Sequence, residues 1–285
     1  MASTQILRRR IRSVQGTAKI CKAMEMIATA KMKRAQEQAI AGRPYADEIS
    51  KVVSDLAVEA QAGGKVHALL QKREIRKIAV IHMTTDHGLC GGLNANQNRL
   101  VASFILEQTV PVALVTVGRR GRAFACSAQC ELRAEFTGIS DRPSLLEIMP
   151  ISRLVTDDYS NGVVDQVYFA YPRFITTMIQ RPTMEVLLPI EPAMLPRAQV
   201  AEYIYEPDPS AVLGELLPRY VEMKVYHAML ELVASEQSAR MVAMRNASDN
   251  AKELIGDLTL ALNKVRQETI TKEICDISGG AEALA

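Results

Sequence analysis

The chain has 285 residues, 48% of them hydrophobic, with 34 basic and 32 acidic side chains and no Trp. That is enough length and apolar material for one large or two small domains, and it excludes a disordered tail. A formal net charge of +2 also excludes a surface built throughout for nucleic acid or anionic lipid.

The first predicted element is a basic arm. Residues 1–43 hold ten Lys/Arg against two acids, so this segment carries +8 and the remainder −6. Ile11, Val14, Ala18 and Cys21, then after a skip Ala28, Met32, Ala35 and Ala39, recur every three or four residues and predict a helix with one apolar stripe. The arginines at 8–10 and 12 are followed by no secretory apolar core. No window reaches the roughly 18 apolar residues that span a bilayer, so a soluble, unexported chain is expected.

The middle reads differently. Short runs rich in Val, Ile and Leu at 77–83, 110–117, 129–136, 166–170 and 184–190 predict strands, and the stretches at 94–108, 119–127 and 144–158 between them read as helices. This alternation implies an α/β domain with a largely parallel sheet. The nearest approaches to linkers are Gln61–Lys65 and the Pro-rich turn from Pro189 to Pro196.

All twelve prolines lie between Pro44 and Pro218, and all thirteen Phe and Tyr residues between Tyr45 and Tyr226, so both ends are expected to be narrow and helical. Arg219 to Ser278 contains one glycine, Gly256. As a single helix that stretch would be about 90 Å long and would need a partner helix along its length. Met244, Ala247, Ala251, Leu254, Leu258, Ala261 and Val265 predict a coiled-coil seam, continued upstream by Val221, Val225, Ala228 and Leu232. The basic arm is the natural partner. The division expected is a helix over 1–62, an α/β domain over 63–208 and a second helix over 209–285.

Candidate sites are few. Thr84 to Asn94 is a glycine-rich turn entering a helix, where α/β folds often hold phosphates. Its glycines fall as G-x-x-G-G, and no G-x-x-x-x-G-K-[ST] occurs anywhere, so a tight packing turn is expected rather than a nucleotide site. Cys126 and Cys130 are four apart, but no second pair or His cluster completes a zinc site, and five scattered cysteines fit buried thiols in a reducing compartment. His67, His82, His87 and His227 belong to no catalytic motif. The basic arm has three readings from composition: nucleic-acid backbone, anionic membrane surface or an acidic protein partner. The absence of aromatics in residues 1–44 weighs against single-stranded nucleic acid. A nucleotide-dependent α/β enzyme and a nucleic-acid-binding coiled coil remain the alternatives to be separated by experiment.

Ile20 to Ala28 (ICKAMEMIA), Thr85 to Asn94 (TDHGLCGGLN) and the stretch from Ser235 (SEQSARMVAMRNASDNA) resemble the gamma subunits of F-type ATP synthases. The resemblance continues through Asn263–Gln267, Ile270–Glu273 and Gly279–Glu282 and covers essentially the whole chain. Two positions depart from the family pattern, with Cys21 in place of the usual Thr and His87 in place of the usual Arg.

The resemblance implies an α/β fold class with a long antiparallel left-handed coiled coil of the terminal helices and an inserted Rossmann-like domain. It implies a central rotor shaft with no catalytic residue, cofactor or metal of its own. The implied partners are the hexamer of alpha and beta subunits, the epsilon subunit and the c-ring, with no nucleic acid. Membrane contact would come only through that complex, at the cytoplasmic face of a bacterial plasma membrane. Carried onto this chain, contacts with the beta subunits map to Lys22, Met24, Arg240, Arg266, Gln267, Thr271 and Glu273, and c-ring and epsilon contacts to Tyr205 and Glu206. No cysteine lies between Gln180 and Tyr220, so thiol switching of the plant-plastid type is not expected.

Overall fold

A computed structural model of the chain describes residues 4–62, 67–190, 206 and 208–282. Two long helices, α1 (Thr4–Ala62) and α5 (Pro209–Glu282), flank β1 (Ile78–Met83), α2 (Leu93–Glu107), β2 (Val112–Val117), α3 (Arg119–Ser127), β3 (Glu131–Phe136), α4 (Leu145–Ser160), β4 (Gln166–Phe174) and β5 (Gln180–Leu188). Each long helix contributes to two compact units. One combines residues 1–28 with 241–285 and the other is 29–240.

The larger unit is built on a five-stranded sheet of order β3-β2-β1-β4-β5. β1 runs parallel to β2 and β4, β2 parallel to β3, and only β5 is antiparallel, to β4. The apolar run of β1, interrupted only by His82, follows from burial on both faces. Ile78 and Val80 pack with Leu114 and Ala170 against Val101 of α2 and Ala125 of α3. Ala79, Ile81 and Met83 turn the other way, into a larger core with Ile148 and Val155 of α4, Val53 and Leu56 of α1, and Leu217 and Val221 of α5. Within this unit α1 and α5 run in opposite directions, because Ala35 packs with Val233 and Ala234 while Gly42, further along α1, lies against His227, earlier in α5.

The hairpin of β4 and β5 is longer than the apolar runs suggest. Its strands reach 166–174 and 180–188 because antiparallel pairing carries Arg173 opposite Arg181 and Phe174 opposite Gln180. These polar, partly exposed pairs lie on the sheet's edge side, where alternation of apolar residues is not required.

In the smaller unit the burial pattern fixes the helix–helix seam. On α1 it is Leu7, Ile11, Val14, Ala18, Cys21, Glu25 and Ala28, all buried or half-buried at alternating spacings of four and three. The apparent skip after Cys21 is filled by Glu25, whose side chain is 15% exposed and accepts from Lys22 Nζ at 2.9 Å. On α5 the seam is Met244, Ser248, Ala251, Ile255, Leu258, Leu262 and Val265. Four of these are the expected residues, but Ala247, Leu254 and Ala261 give way to their C-terminal neighbours. Leu254 and Ala261 are exposed. Either phase averages 3.5 residues per turn, and burying Ile255 and Leu262 removes more apolar surface from water than burying Leu254 and Ala261. Ser248, a polar residue that pattern reading passes over, is small enough to sit in the seam and is buried.

Candidate functional site

The glycine-rich turn after β1 folds back onto the start of α3. Asp86 accepts from the backbone N–H of Arg119 at 2.9 Å and of Gly138 at 2.8 Å, the Thr85 carbonyl accepts from Arg120 N at 3.2 Å, and Thr84 Oγ1 accepts from Gly121 N at 2.7 Å. The first three N–H groups of α3 therefore already hold protein acceptors from the turn. Asn94 closes the turn on itself, donating to Thr85 Oγ1 at 2.8 Å and accepting from Thr85 N at 3.2 Å. The glycine that permits this docking lies elsewhere, after β2. Gly118 has φ +91°, and a Cβ there would stand 2.2 Å from the Thr84 carbonyl oxygen. Sequence reading missed Gly118, because a single glycine between strand and helix carries no recognisable spacing.

A cavity of about 350 Å³ opens at the carboxyl ends of β1, β2 and β3. Its wall combines Val117, Ile139, Met229 and Leu232 with three carboxylates, Asp86, Asp141 and Glu236. Burial pushes the Glu236 carboxyl above its usual pKa, against the opposing pull of Arg240. Arg119 and His87 also line the cavity.

Arg240 is largely buried, with its side chain 12% exposed. Its guanidinium bonds Glu236 one turn back, Gln237 Oε1 at 3.1 Å and the Gly88 carbonyl at 3.3 Å. It is committed to contacts within its own unit. His87, one of the two departures from the family pattern, is exposed beside Gly88, and its charge acts on Glu236. Cys21, the other departure, is buried in the α1 seam.

The other expected contact residues fall into separate places. In the helix-pair unit Lys22 is exposed on α1 and Met24 is half-buried. Asp249 of α5 is held below the usual carboxylate range by Lys252, with Arg245 and Lys22 adding to the effect. Arg266, Gln267, Thr271 and Glu273 are all exposed on the last turns of α5, and none has a hydrogen-bond or ion-pair partner among the described residues. The helical period groups them around Ile270, Ile274 and Ile277, which are 48%, 59% and 73% exposed. Glu206 is exposed just before α5, and Tyr205 lies outside the described residues. No group of three or more potential metal ligands occurs among the described residues. No helix among them is long and apolar enough to cross a membrane.

A run of polar residues on α5 was legible only as a motif, without a role. Ser235, Glu236, Gln237 and Ser238 are all buried. Ser235 Oγ donates to the Pro172 carbonyl at 2.8 Å and Ser238 Oγ to the Thr177 carbonyl at 2.7 Å, both on the β4–β5 hairpin. The signal available in sequence was four consecutive polar residues in the middle of an apolar helix, which burial must satisfy with hydrogen bonds.

The family model described as ATP synthase matches residues 3–284. The ATP synthase gamma chain of Dehalococcoides mccartyi strain ATCC BAA-2266 / KCTC 15142 / 195 is 57% identical over 285 residues, covering all of both chains. That of Roseiflexus sp. strain RS-1 is 47% identical over 289 residues, covering 100% of this chain and 99% of the relative. Among solved structures, a chain from the central stalk and c-ring of the Tetrahymena thermophila mitochondrial ATP synthase matches at 26% identity with TM-score 0.65, over 80% of this chain and 99% of that one. A rotor chain of the Euglena gracilis mitochondrial enzyme, at 18% identity and TM-score 0.67 over 94% and 99% of the two chains, shares the fold. With relatives this similar over their full length, and an α/β unit flanked by two long antiparallel helices, the chain belongs to the family of ATP synthase gamma chains.

Proposed function

We propose that this chain is the central rotor shaft of a bacterial ATP synthase, coupling rotation of a membrane c-ring to the conformational cycle of catalytic beta subunits. It carries out no covalent chemistry. The observation that carries this reading is the unfinished burial of the helix-pair unit. Its seam is closed, yet Ile20, Met26 and Ile27 on α1 and Ile270, Ile274 and Ile277 on α5 stay exposed. A helix surface that is apolar beyond its own seam is made to be covered. The surrounding hexamer of alpha and beta subunits is the cover this reading assigns.

The residues fit a shaft that must release as readily as it binds. Arg266, Gln267, Thr271 and Glu273 are exposed polar groups, and ion pairs formed by such groups in water are worth about 0 to 1 kcal/mol, so contacts with successive beta subunits are made and broken without a trap. Lys22 and Met24 take the contact with an acidic lever of the beta subunit. The family mapping assigns Arg240 to the same network. Tyr205 and Glu206 belong to the foot that meets the c-ring and the epsilon subunit. The complex holds the chain at the cytoplasmic face of the plasma membrane.

Purification of the tagged chain from its native membrane tests the reading. Alpha, beta and epsilon subunits and the c-ring should accompany it in fixed stoichiometry, with ATP-driven proton pumping. Recovery of the chain alone, or with nucleic acid or a nucleotide-dependent activity of its own, would overturn it.

A further inference from the structure

Within the larger unit, the polar run on α5 grips three separate segments, the β4–β5 hairpin and the loops that follow β3 and β1. Glu231 accepts from Phe174 N at 3.3 Å, and Ser235 and Ser238 donate to Pro172 and Thr177, so residues spaced four and three apart hold the β4–β5 hairpin along one helix face. Gln237 donates to Asp141 Oδ1, in the loop between β3 and α4, at 3.3 Å. The same carboxylate takes Lys31 of α1 on its other oxygen. Arg240 reaches the Gly88 carbonyl in the loop after β1.

Elsewhere α5 meets the sheet through apolar side chains such as Leu217, Val221 and Val225. Apolar burial resists separation but is non-directional, so it does not by itself select one rotational setting of a helix about its axis. Hydrogen bonds have steep distance and angle dependence, and a set distributed around the helix opposes rotation in either sense.

We infer that residues 231–240 of α5 form a torque clasp, with Ser235 and Ser238 as positioning residues that lock the helix to the sheet-bearing unit against axial twist. The inference rests on the rotor reading above. Torque applied to the sheet-bearing unit enters α5 through this clasp rather than through the apolar core. Loss of a hydrogen bond of this kind shifts the balance between clasped and slipped arrangements about fivefold.

The test uses the assembled complex containing the chain with Ser235→Ala and Ser238→Ala together. ATP hydrolysis and ATP-driven proton pumping are measured on one preparation while the opposing proton gradient is raised stepwise. Protons pumped per ATP should match wild type without a gradient and fall about threefold near the highest gradient, because slippage grows with load. Equal ratios at every gradient would overturn the clasp. So would both activities falling together at every gradient, which is the signature of a merely structural role. Ser238→Ala alone supplies the same reading if the double variant does not assemble. The wild-type arm separates the two ideas: its failure to assemble or pump defeats the rotor reading, whereas a defeat of the clasp appears only in the variant arm.

Discussion

The two units of this chain solve burial in opposite ways. In the sheet-bearing unit Val80, Ile81, Leu114 and Val167 have no exposed surface, and both faces of β1 are covered by the chain itself. In the helix-pair unit even the best apolar seam residues of α5, Met244 and Ala251, keep 5% and 8% of their surface, and Ile255, Leu258 and Leu262 are only half-buried. Two helices present one line of contact and leave most of each cylinder in water. The sheet-bearing unit is therefore finished within one chain, while the helix pair is finished only by what surrounds it. Substitutions should accordingly act through stability in the first unit and through partners in the second.

The largest effect is expected where the first unit is tightest. Gly118→Ala sets a methyl 2.2 Å from the Thr84 carbonyl oxygen at φ +91°. Neither backbone segment can yield, so the loss should exceed about 3 kcal/mol, read as a collapse of the urea-unfolding midpoint or as failure to fold. A cost below 1 kcal/mol would mean that the turn after β1 does not dock on α3 as described.

His82 gives the same unit an acid limit. Both ring nitrogens are buried and without a hydrogen-bond partner among the described residues, the ring lies edge-on to Phe124, and burial lowers its pKa from 6.5 to about 4. The unfolded chain takes up that proton first, so this contribution to stability is full above about 6.5 and is lost as pH falls toward about 4. At roughly 1.4 kcal/mol per pKa unit the loss is about 3 kcal/mol. Denaturant unfolding at pH 7 and pH 4 should show it, and His82→Leu should flatten the dependence by a similar amount. An unchanged pH profile in the variant would remove His82 as the cause.

Smaller effects are expected in the helix pair. Leu258→Asp replaces a half-buried seam residue and should cost the isolated chain about 1 to 2 kcal/mol, less than a core site, because the carboxylate keeps access to water. Gly256, two residues earlier, has nothing within 4 Å of the position a Cβ would take. Gly256→Ala should therefore stabilise α5 by about 0.5 to 1 kcal/mol through helix propensity alone. Opposite signs two residues apart, followed by thermal melting, would confirm the phase of the seam, and a destabilising Gly256→Ala would shift it.

How much of this was legible in sequence follows the same division. The α/β unit announces itself because its central strands β1 and β2 are buried on two faces and read as nearly continuous apolar runs; α3 falls on the predicted residues 119–127. The seam of α1 is legible for the same reason, as Ile11, Val14, Ala18 and Cys21 are its only apolar line there at that spacing. On α5 almost every third or fourth residue is apolar, so two phases fit equally well, and only the exposure of Leu254 and Ala261 separates them. The polar clasp was invisible as chemistry, since the partners of Ser235 and Ser238 are backbone carbonyls, and any sequence supplies those. Of the contact residues mapped by resemblance, Arg240 stands apart from the others because its side chain is spent on Glu236, Gln237 and Gly88 inside the chain.

Rotation of the helix pair against a surrounding partner can be tested at Met24. It is half-buried on α1 within a cationic stretch that includes Lys22, and the proposed neighbour is an acidic lever. Met24→Lys would add an ion pair that forms at one rotor angle and must break at the next. At 4 Å and an effective dielectric of about 20 to 80 such a pair is worth about 1 to 4 kcal/mol. Since about 1.4 kcal/mol is tenfold in rate, that is an angular barrier large enough to uncouple transport from catalysis. Proton pumping and ATP hydrolysis should be measured together on the reconstituted complex at several temperatures. Pumping should fall well below hydrolysis in the variant; an equal ratio of the two in variant and wild type, at every temperature, would rule out rotation against that lever.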